Sequence, residues 1–144
     1  MDISIREASI KDFTVVYQFI CELQGKSFDK EVMGILYNEN ISNTNFIYLV
    51  ACEGNVTIGY VSCHIQNLLH HAGKVGEIQE MFVLSKYRNT GVGKLLMDDL
   101  KKRAKEKGAL QLEVTTRVIR EKAIQFYIRE DFQDSHKKLV HYFY

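Results

Sequence analysis

The stretch "VGEIQEMFVLSKYRNTGVGKLLMDDLKKRAKEKG" (residues 75–108) decides the architecture. Its first ten residues, Val75 to Leu84, form an apolar, β-rich run bounded by turn residues and read as a strand. From Val92 onward the pattern changes to a helical period. Val92, Leu95, Leu96, Leu100 and Ala104 share one face, with Asp98, Lys101, Lys102 and Lys105 toward water. Gly108 is placed to stop the helix in a left-handed conformation. Between strand and helix lies RNTGVG, residues 88–93. Free backbone N–H groups and the positive end of a helix dipole converge at such a junction. Gly91 and Gly93 let the backbone come close to an anion, and Arg88 and Lys94 add charge. The turn therefore reads as a phosphate cradle. It is not a P-loop and not a dinucleotide fingerprint, because neither G-x-x-x-x-G-K-[ST] nor G-x-G-x-x-G is present.

Working outward, "NFIYLVACEGNVTIGYVSCHIQ" (45–66) reads as a hairpin turning through Glu53, Gly54 and Asn55, and "LLHHAGK" (68–74) as a loop. Upstream, "ISIREAS" (3–9) alternates as a strand. Ser9 and Asp12 form a capping box before a helix carrying Phe13, Val16, Tyr17, Ile20 and Leu23, and Gly25 ends it. A second helix after Ser27 puts Phe28, Val32, Ile35 and Leu36 on its apolar side. Downstream, "LQLEVTT" (110–116) is a strand, "EKAIQFYIRE" (121–130) a helix and "SHKKLVHYFY" (135–144) a final strand. The expected fold is α+β, a central mixed, mostly antiparallel sheet with helices on both faces.

Size and composition narrow the classes. With 144 residues, no proline and no repeat, the chain reads as one domain over residues 1–144. The formal net charge is +1, with basic residues scattered among acids, so no nucleic-acid surface is expected. The opening residues carry charges rather than a signal-like apolar run, and nothing approaches the roughly 18 apolar residues of a membrane span. Cys21, Cys52 and Cys63 have no C-x-x-C spacing, which fits a reduced, cytoplasmic setting.

Strand "EIQEMFVL", then R-x-x-G-x-G, then helix, strand and a helix containing "AIQFY", resembles the Gcn5-related N-acetyltransferases over essentially the whole chain. Within that family, "VYQFICEL", "LLHHAGKVGEIQEM" and "FYIREDFQDSH" resemble the bacterial aminoalkylphosphonate N-acetyltransferases. The resemblance implies a GNAT fold and an acetyl-CoA cosubstrate whose pyrophosphate sits on residues 88–94: Arg88, Asn89, Thr90, Gly91, Val92, Gly93 and Lys94. It implies a small-molecule amine as acceptor, an aminoalkylphosphonate by the narrower match, with divalent metal assisting. Another amine (a polyamine, an aminoglycoside or a protein N-terminus) is the enzymatic alternative, and a non-catalytic acyl-CoA sensor is the other. The family asparagine three before the alanine is Arg120 here, so Arg120 or Lys122 contacts phosphate instead. The family glycine after FY-x-x-x is Asp131.

Acetyl transfer needs a neutral amine, a stabilised oxyanion and a protonated leaving thiolate. Alkyl amines titrate near lysine's value of about 10.4, so a base is required at neutral pH. Glu80 is the preferred base and Glu77 the second candidate. Three apart, they face opposite sides of a regular strand and serve one site only if the strand bulges or one acts through water. Backbone groups of Met81, Phe82 and Val83 are expected to meet the pantetheine arm and supply an oxyanion donor. Tyr127 of "AIQFY" is the expected acid, since a phenol keeps its proton at neutral pH. A metal site would use His71 with Glu77 or Glu80. His136 and Ser135 are candidates for holding an anionic acceptor, and Glu22 and Asp29 for facing the acceptor cleft. The aromatic "HYFY" terminus either pairs across a homodimer or completes the core.

Overall fold

The computed structural model describes residues 1–144. Its elements run β1 (Ile3–Glu7), α1 (Phe13–Gln24), α2 (Lys30–Ile41), β2 (Phe46–Glu53), β3 (Val56–Leu68), β4 (Gly73–Val83), α3 (Val92–Glu106), β5 (Ala109–Val114) and α4 (Glu121–Arg129). The strands form one sheet in chain order, antiparallel except for the parallel pair β4–β5. Ile47, Leu49 and Ala51 pack toward α3, and the alternating Tyr48, Val50 and Cys52 pack with Val16 and Phe19 of α1 and Tyr37 of α2. Both faces of β2 are buried, which is why its sequence is apolar almost without interruption.

Local signals set several boundaries. Gly25 closes α1 at φ 68° and Gly108 follows α3 at φ 89°, both left-handed. The Asp12 carboxylate accepts the Ser9 N–H at 2.7 Å and both guanidinium nitrogens of Arg6, at 2.8 and 2.9 Å. That clamp ties β1 to the 3₁₀ turn that leads into α1 and holds the Asp12 carboxyl below its ordinary range. Asp29, rather than Ser27, caps α2, accepting the Val32 N–H at 3.0 Å.

Four expectations need correction. On α3, Leu95 is 45% exposed and Met97 takes the core position, because Leu95 sits at the edge of the apolar stripe. On α2, Val32, Ile35 and Leu36 are exposed and only Tyr37 is fully buried, since no element covers the far side of that helix. The expected loop 68–74 is shorter: β3 runs to Leu68, a 3₁₀ turn covers Leu69–His71, and β4 begins at Gly73. Residues 135–144 form no strand. Their alternation gives strand propensity, but a strand needs a partner edge, and no backbone–backbone hydrogen bond involves them.

Candidate active site

The pairing of β4 with β5 ends at Ile78 opposite Val114, whereas β4 continues to Val83 along β3. From Gln79 onward the two parallel strands part, and one edge of Glu80–Val83 has no strand beside it. Met81 and Val83 are half-buried there, while Phe82 is buried and stacks on Phe19 with ring centroids 4.8 Å apart. Arg88 folds back over this stretch, donating from Nε to the Val83 carbonyl at 2.9 Å and lying 5.5 Å from the Phe82 ring.

The chain then turns through Asn89 (φ 61°) and Gly91 (φ 93°) into α3. Tyr87 is buried under the turn, and the Thr90 hydroxyl donates to its carbonyl. No N–H from Asn89 to Lys94 donates to an acceptor in the chain; the first bond of the helix is Leu95 N–H to Gly91. A row of free N–H groups at a helix N-terminus is the physical requirement for an anion site. The two glycines have different reasons. A Cβ on Gly91 would meet open space, so its backbone conformation is what demands glycine. A Cβ on Gly93 would come within 3.2 Å of Phe126 and 3.7 Å of Met81, so Gly93 lets α4 and β4 close around the start of α3.

The two glutamates are brought onto one face. The β3–β4 register shifts between Ser62 and Cys63, where Ser62 pairs with Glu80 and Cys63 with Ile78, so Gln79 is the extra residue of a β-bulge. Glu77 consequently pairs with His64 and Glu80 with Ser62, two positions on the same side of β3. Glu80 Oε1 accepts from Ser62 Oγ at 2.6 Å and from Tyr60 at 3.2 Å, and the Glu80 N–H donates to Ser62 Oγ at 3.1 Å. Ser62 is 0% exposed. Tyr60 keeps its proton firmly, chiefly through burial and then through the Glu80 charge, so it is a donor to the carboxylate. The sequence reading missed Tyr60 and Ser62. Their signal was the alternation of "YVSCH" opposite "IQEMF", which acquires meaning only with the register.

His64 extends this polar row. Its Nε2 lies 2.9 Å from the Tyr48 hydroxyl, which also accepts from Asn40 at 2.9 Å, and its ring stacks on Phe46. Burial lowers the His64 pKa, with Glu77 pulling the other way. His64 is therefore uncharged at neutral pH, with its Nε2 engaged by the Tyr48 hydroxyl.

Tyr127 lies buried on α4 against the α3 face of the core, packed by Phe126 and Phe132. Its hydroxyl has no partner in the chain, and no sealed side-chain polar atom lacks one, so this hydroxyl opens to solvent. Burial pushes its pKa up to about 12. Lys94 reaches Asp98 at 3.3 Å and Glu130 at 3.6 Å. Arg120 Nη2 donates to the Leu23 carbonyl at 2.9 Å, tying α4 to the end of α1. Ser135 and His136 bond to each other in an exposed segment, Asp29 is occupied as a helix cap, and Glu22 is exposed.

The expected metal site does not fit this donor set. No group of three or more His, Cys, Asp or Glu side chains could hold an ion. His71 sits on the 3₁₀ turn with its ring 4.5 Å from that of His70, whereas Glu77 faces His64. A cavity of ≈ 420 Å³ lies beside the start of β2, between the end of α2 and the end of α3; Tyr48 lines it, and none of the site residues expected from the sequence does.

The sequence model of the Acetyltransferase (GNAT) family matches residues 8–132. The chain belongs to the GNAT family of acetyltransferases. A GNAT relative, the aminoalkylphosphonate N-acetyltransferase of Salmonella typhimurium, is 34% identical over 132 residues, which is 92% of this chain and 86% of that protein. Solved GNAT-like structures superpose closely. A protein of Bacillus halodurans described as a transcriptional regulator has a TM-score of 0.89 at 25% identity, covering 99% of this chain and 100% of that one. Glucosamine-6-phosphate N-acetyltransferase of Arabidopsis thaliana has a TM-score of 0.82 at 20% identity, covering 99% of each chain. An aminoglycoside N-acetyltransferase in complex with CoA gives 0.88 at 15% identity, covering 98% and 94%. The protein is thus a GNAT-family N-acetyltransferase, and no helix in it is long and apolar enough to cross a membrane.

Proposed function

We propose that this enzyme moves the acetyl group of acetyl-CoA directly to the amine of a small acceptor, with an aminoalkylphosphonate as the acceptor. The observation that carries the reading is the coincidence of three features: the parting of β4 from β5 after Ile78, the free N–H row of residues 89–94, and Glu80 held beside that opening. Acetyl-CoA would supply an activated thioester. The N–H groups from Asn89 to Lys94 would hold its pyrophosphate, aided by the charges of Arg88 and Lys94. Backbone groups of Met81, Phe82 and Val83 would align the arm along the open edge of β4, and one N–H there would stabilise the oxyanion.

Glu80 is the base. Ser62 and Tyr60 bind one of its oxygens, which leaves the other to take the ammonium proton. Tyr127 is the acid; still protonated through the neutral range, it can give its proton to the departing sulfur. Glu77 is placed on the same face as Glu80 and is suited to positioning the acceptor. The three cysteines have no part in the step: Cys52 and Cys63 are buried, and burial first, then Glu77, pushes Cys63 up to about 12. The aminophosphonate assignment rests on the Salmonella relative.

The test follows CoA release with acetyl-CoA and a panel of amines, each with and without a divalent cation. Aminomethyl- and aminoethylphosphonate are set against polyamines, aminoglycosides and short peptides, with a no-acceptor blank. Turnover favouring the aminophosphonates is expected. Turnover confined to other amines would refute the acceptor, and acetyl-CoA binding without turnover on any amine would refute the catalytic assignment.

A further inference from the structure

The turn that leads into the free N–H row has little of its own to hold it in place. It contains two left-handed residues, Asn89 (φ 61°) and Gly91 (φ 93°), and no backbone N–H of residues 89–94 is bonded within the chain. What fixes it comes from Tyr87, the last residue of the 3₁₀ turn Ser85–Tyr87. The Tyr87 N–H donates to the Leu84 carbonyl at 2.8 Å, and the Leu84 N–H is itself tied to β3 through the Ile58 carbonyl at 2.9 Å. The Tyr87 carbonyl receives the Thr90 hydroxyl from inside the turn. The residue is 9% exposed and shares the core with Val92 and Leu96 of α3.

The far end of this side chain is held as well. The Tyr87 hydroxyl donates to Glu53 Oε1 at 3.0 Å, a contact across 34 residues of sequence. Glu53 is the last residue of β2, and its backbone is paired on both sides, with Ile3 of β1 and Val56 of β3. Gly54 then reverses the chain at φ 59°. Among the hydrogen bonds and ion pairs of the chain, only the one from Tyr87 engages the Glu53 side chain. A phenylalanine would fill the core at position 87 without burying a hydroxyl, so the polar contact is separate from the packing. A hydrogen bond to a carboxylate is roughly twice as strong as a neutral one, which suits it to holding a position. A continuous path therefore runs from the β2–β3 hairpin through the Glu53 carboxylate, the Tyr87 ring and the Tyr87 carbonyl to Thr90.

We propose that Glu53 and Tyr87 are positioning residues for the cofactor: the carboxylate at the β2–β3 turn holds the phenol, and the phenol holds residues 88–91 where their N–H groups converge on the pyrophosphate. The inference rests on the acetyl-CoA reading of residues 88–94. Both residues act through the backbone of the turn and not on the reacting groups. Glu80 is held by a separate set of bonds, from Ser62 and Tyr60, so loss of the brace should appear in cofactor binding and leave the acceptor's behaviour unchanged. Misplacement by about 1 Å can cost on the order of 10²-fold, and a turn still tied at Leu84 and Thr90 moves less, so about tenfold is expected.

The experiment measures CoA binding by titration calorimetry and initial rates with the aminophosphonates, on the full chain. Tyr87→Phe, Glu53→Ala, Glu53→Gln and the Tyr87→Phe/Glu53→Ala double variant are compared with the parent, each below its melting point. Tyr87→Phe and Glu53→Ala are each expected to weaken CoA binding and raise KM for acetyl-CoA about tenfold, with kcat and the acceptor KM within about twofold of the parent. Glu53→Gln keeps an oxygen that can accept from the phenol and should stay within about threefold of the parent. The double variant should lose no more than either single one, because both remove the same bond. Lowered Tm with parental CoA affinity would mean a contact that serves stability alone, and overturns the inference. So do losses that add in the double variant, or an acceptor KM that rises with that for acetyl-CoA. The calorimetry needs no acceptor and decides by itself if no amine turns over. A parent that binds no CoA overturns the acetyl-CoA reading and this inference with it. A parent that binds CoA, beside variants that bind it equally well, overturns this inference alone.

Discussion

Replacing Ser62 with alanine would isolate the element that holds Glu80. The substitution removes one oxygen from a site that is 0% exposed, and with it both a 2.6 Å donor to the carboxylate and the 3.1 Å acceptor for the Glu80 N–H. A hydrogen bond to a charged group contributes about 1.5–3 kcal/mol. If that energy fixes the carboxylate in its productive orientation, kcat/KM for the amine falls by about 10- to 150-fold. The orphaned N–H should cost about 1–3 kcal/mol of stability as well, lowering Tm by several degrees in a domain this size. KM for acetyl-CoA should not change, because the cradle proposed at residues 88–94 lies on another element. Tyr60→Phe removes only the 3.2 Å bond and should have a smaller effect, and the double variant should lose less than the product of the two, since both bonds reach Oε1. The assay is initial-rate CoA release over acceptor concentration at saturating acetyl-CoA, below the melting point of the variant. A folded Ser62→Ala enzyme within twofold of the parent would refute the argument that Glu80 depends on this bond.

Three further outcomes follow from the geometry. Tyr127→Phe should lower kcat by about 10²- to 10⁴-fold with little change in Tm, because its hydroxyl has no partner in the chain; single-turnover rates and a melting curve check both parts. Gly91→Ala places a Cβ at φ 93°, costing about 1–2 kcal/mol, and should raise KM for acetyl-CoA more than it changes kcat, as acetyl-CoA titrations would show. The His64 pKa is lowered on folding, so the unfolded chain takes up the proton first. Stability should therefore decline as pH falls from about 6.5 through the lower folded value; His64→Gln should flatten that limb in melts recorded from pH 8 to 4.

How much of this was legible depends on the range of each signal. The junction from β4 through RNTGVG into α3 is a local change of period, and the stops at Gly25 and Gly108 are local backbone demands, so both could be read from the chain. The face that Glu77 and Glu80 share could not. It follows from one extra residue at Gln79, and a bulge is visible only once β3 is laid beside β4. Ser62 suffered the same limit, looking like one more position in an apolar strand. On α2 the helical period was readable, but whether anything would cover Val32, Ile35 and Leu36 was not. Residues 135–144 show the converse case: the alternation was real, and the pairing it requires was absent from the single chain. The bond from Arg120 to the Leu23 carbonyl was equally beyond the reach of the sequence, since its two ends lie 97 residues apart.

The Gln79 bulge also bears on how such an enzyme can vary by descent. Side-chain direction beyond residue 79 is set by a count: losing that one codon would remove the bulge and let Ile78 and Glu80 pair with Cys63 and Ser62 in even alternation, so the strand can shed a residue there without turning the carboxylate away from Ser62.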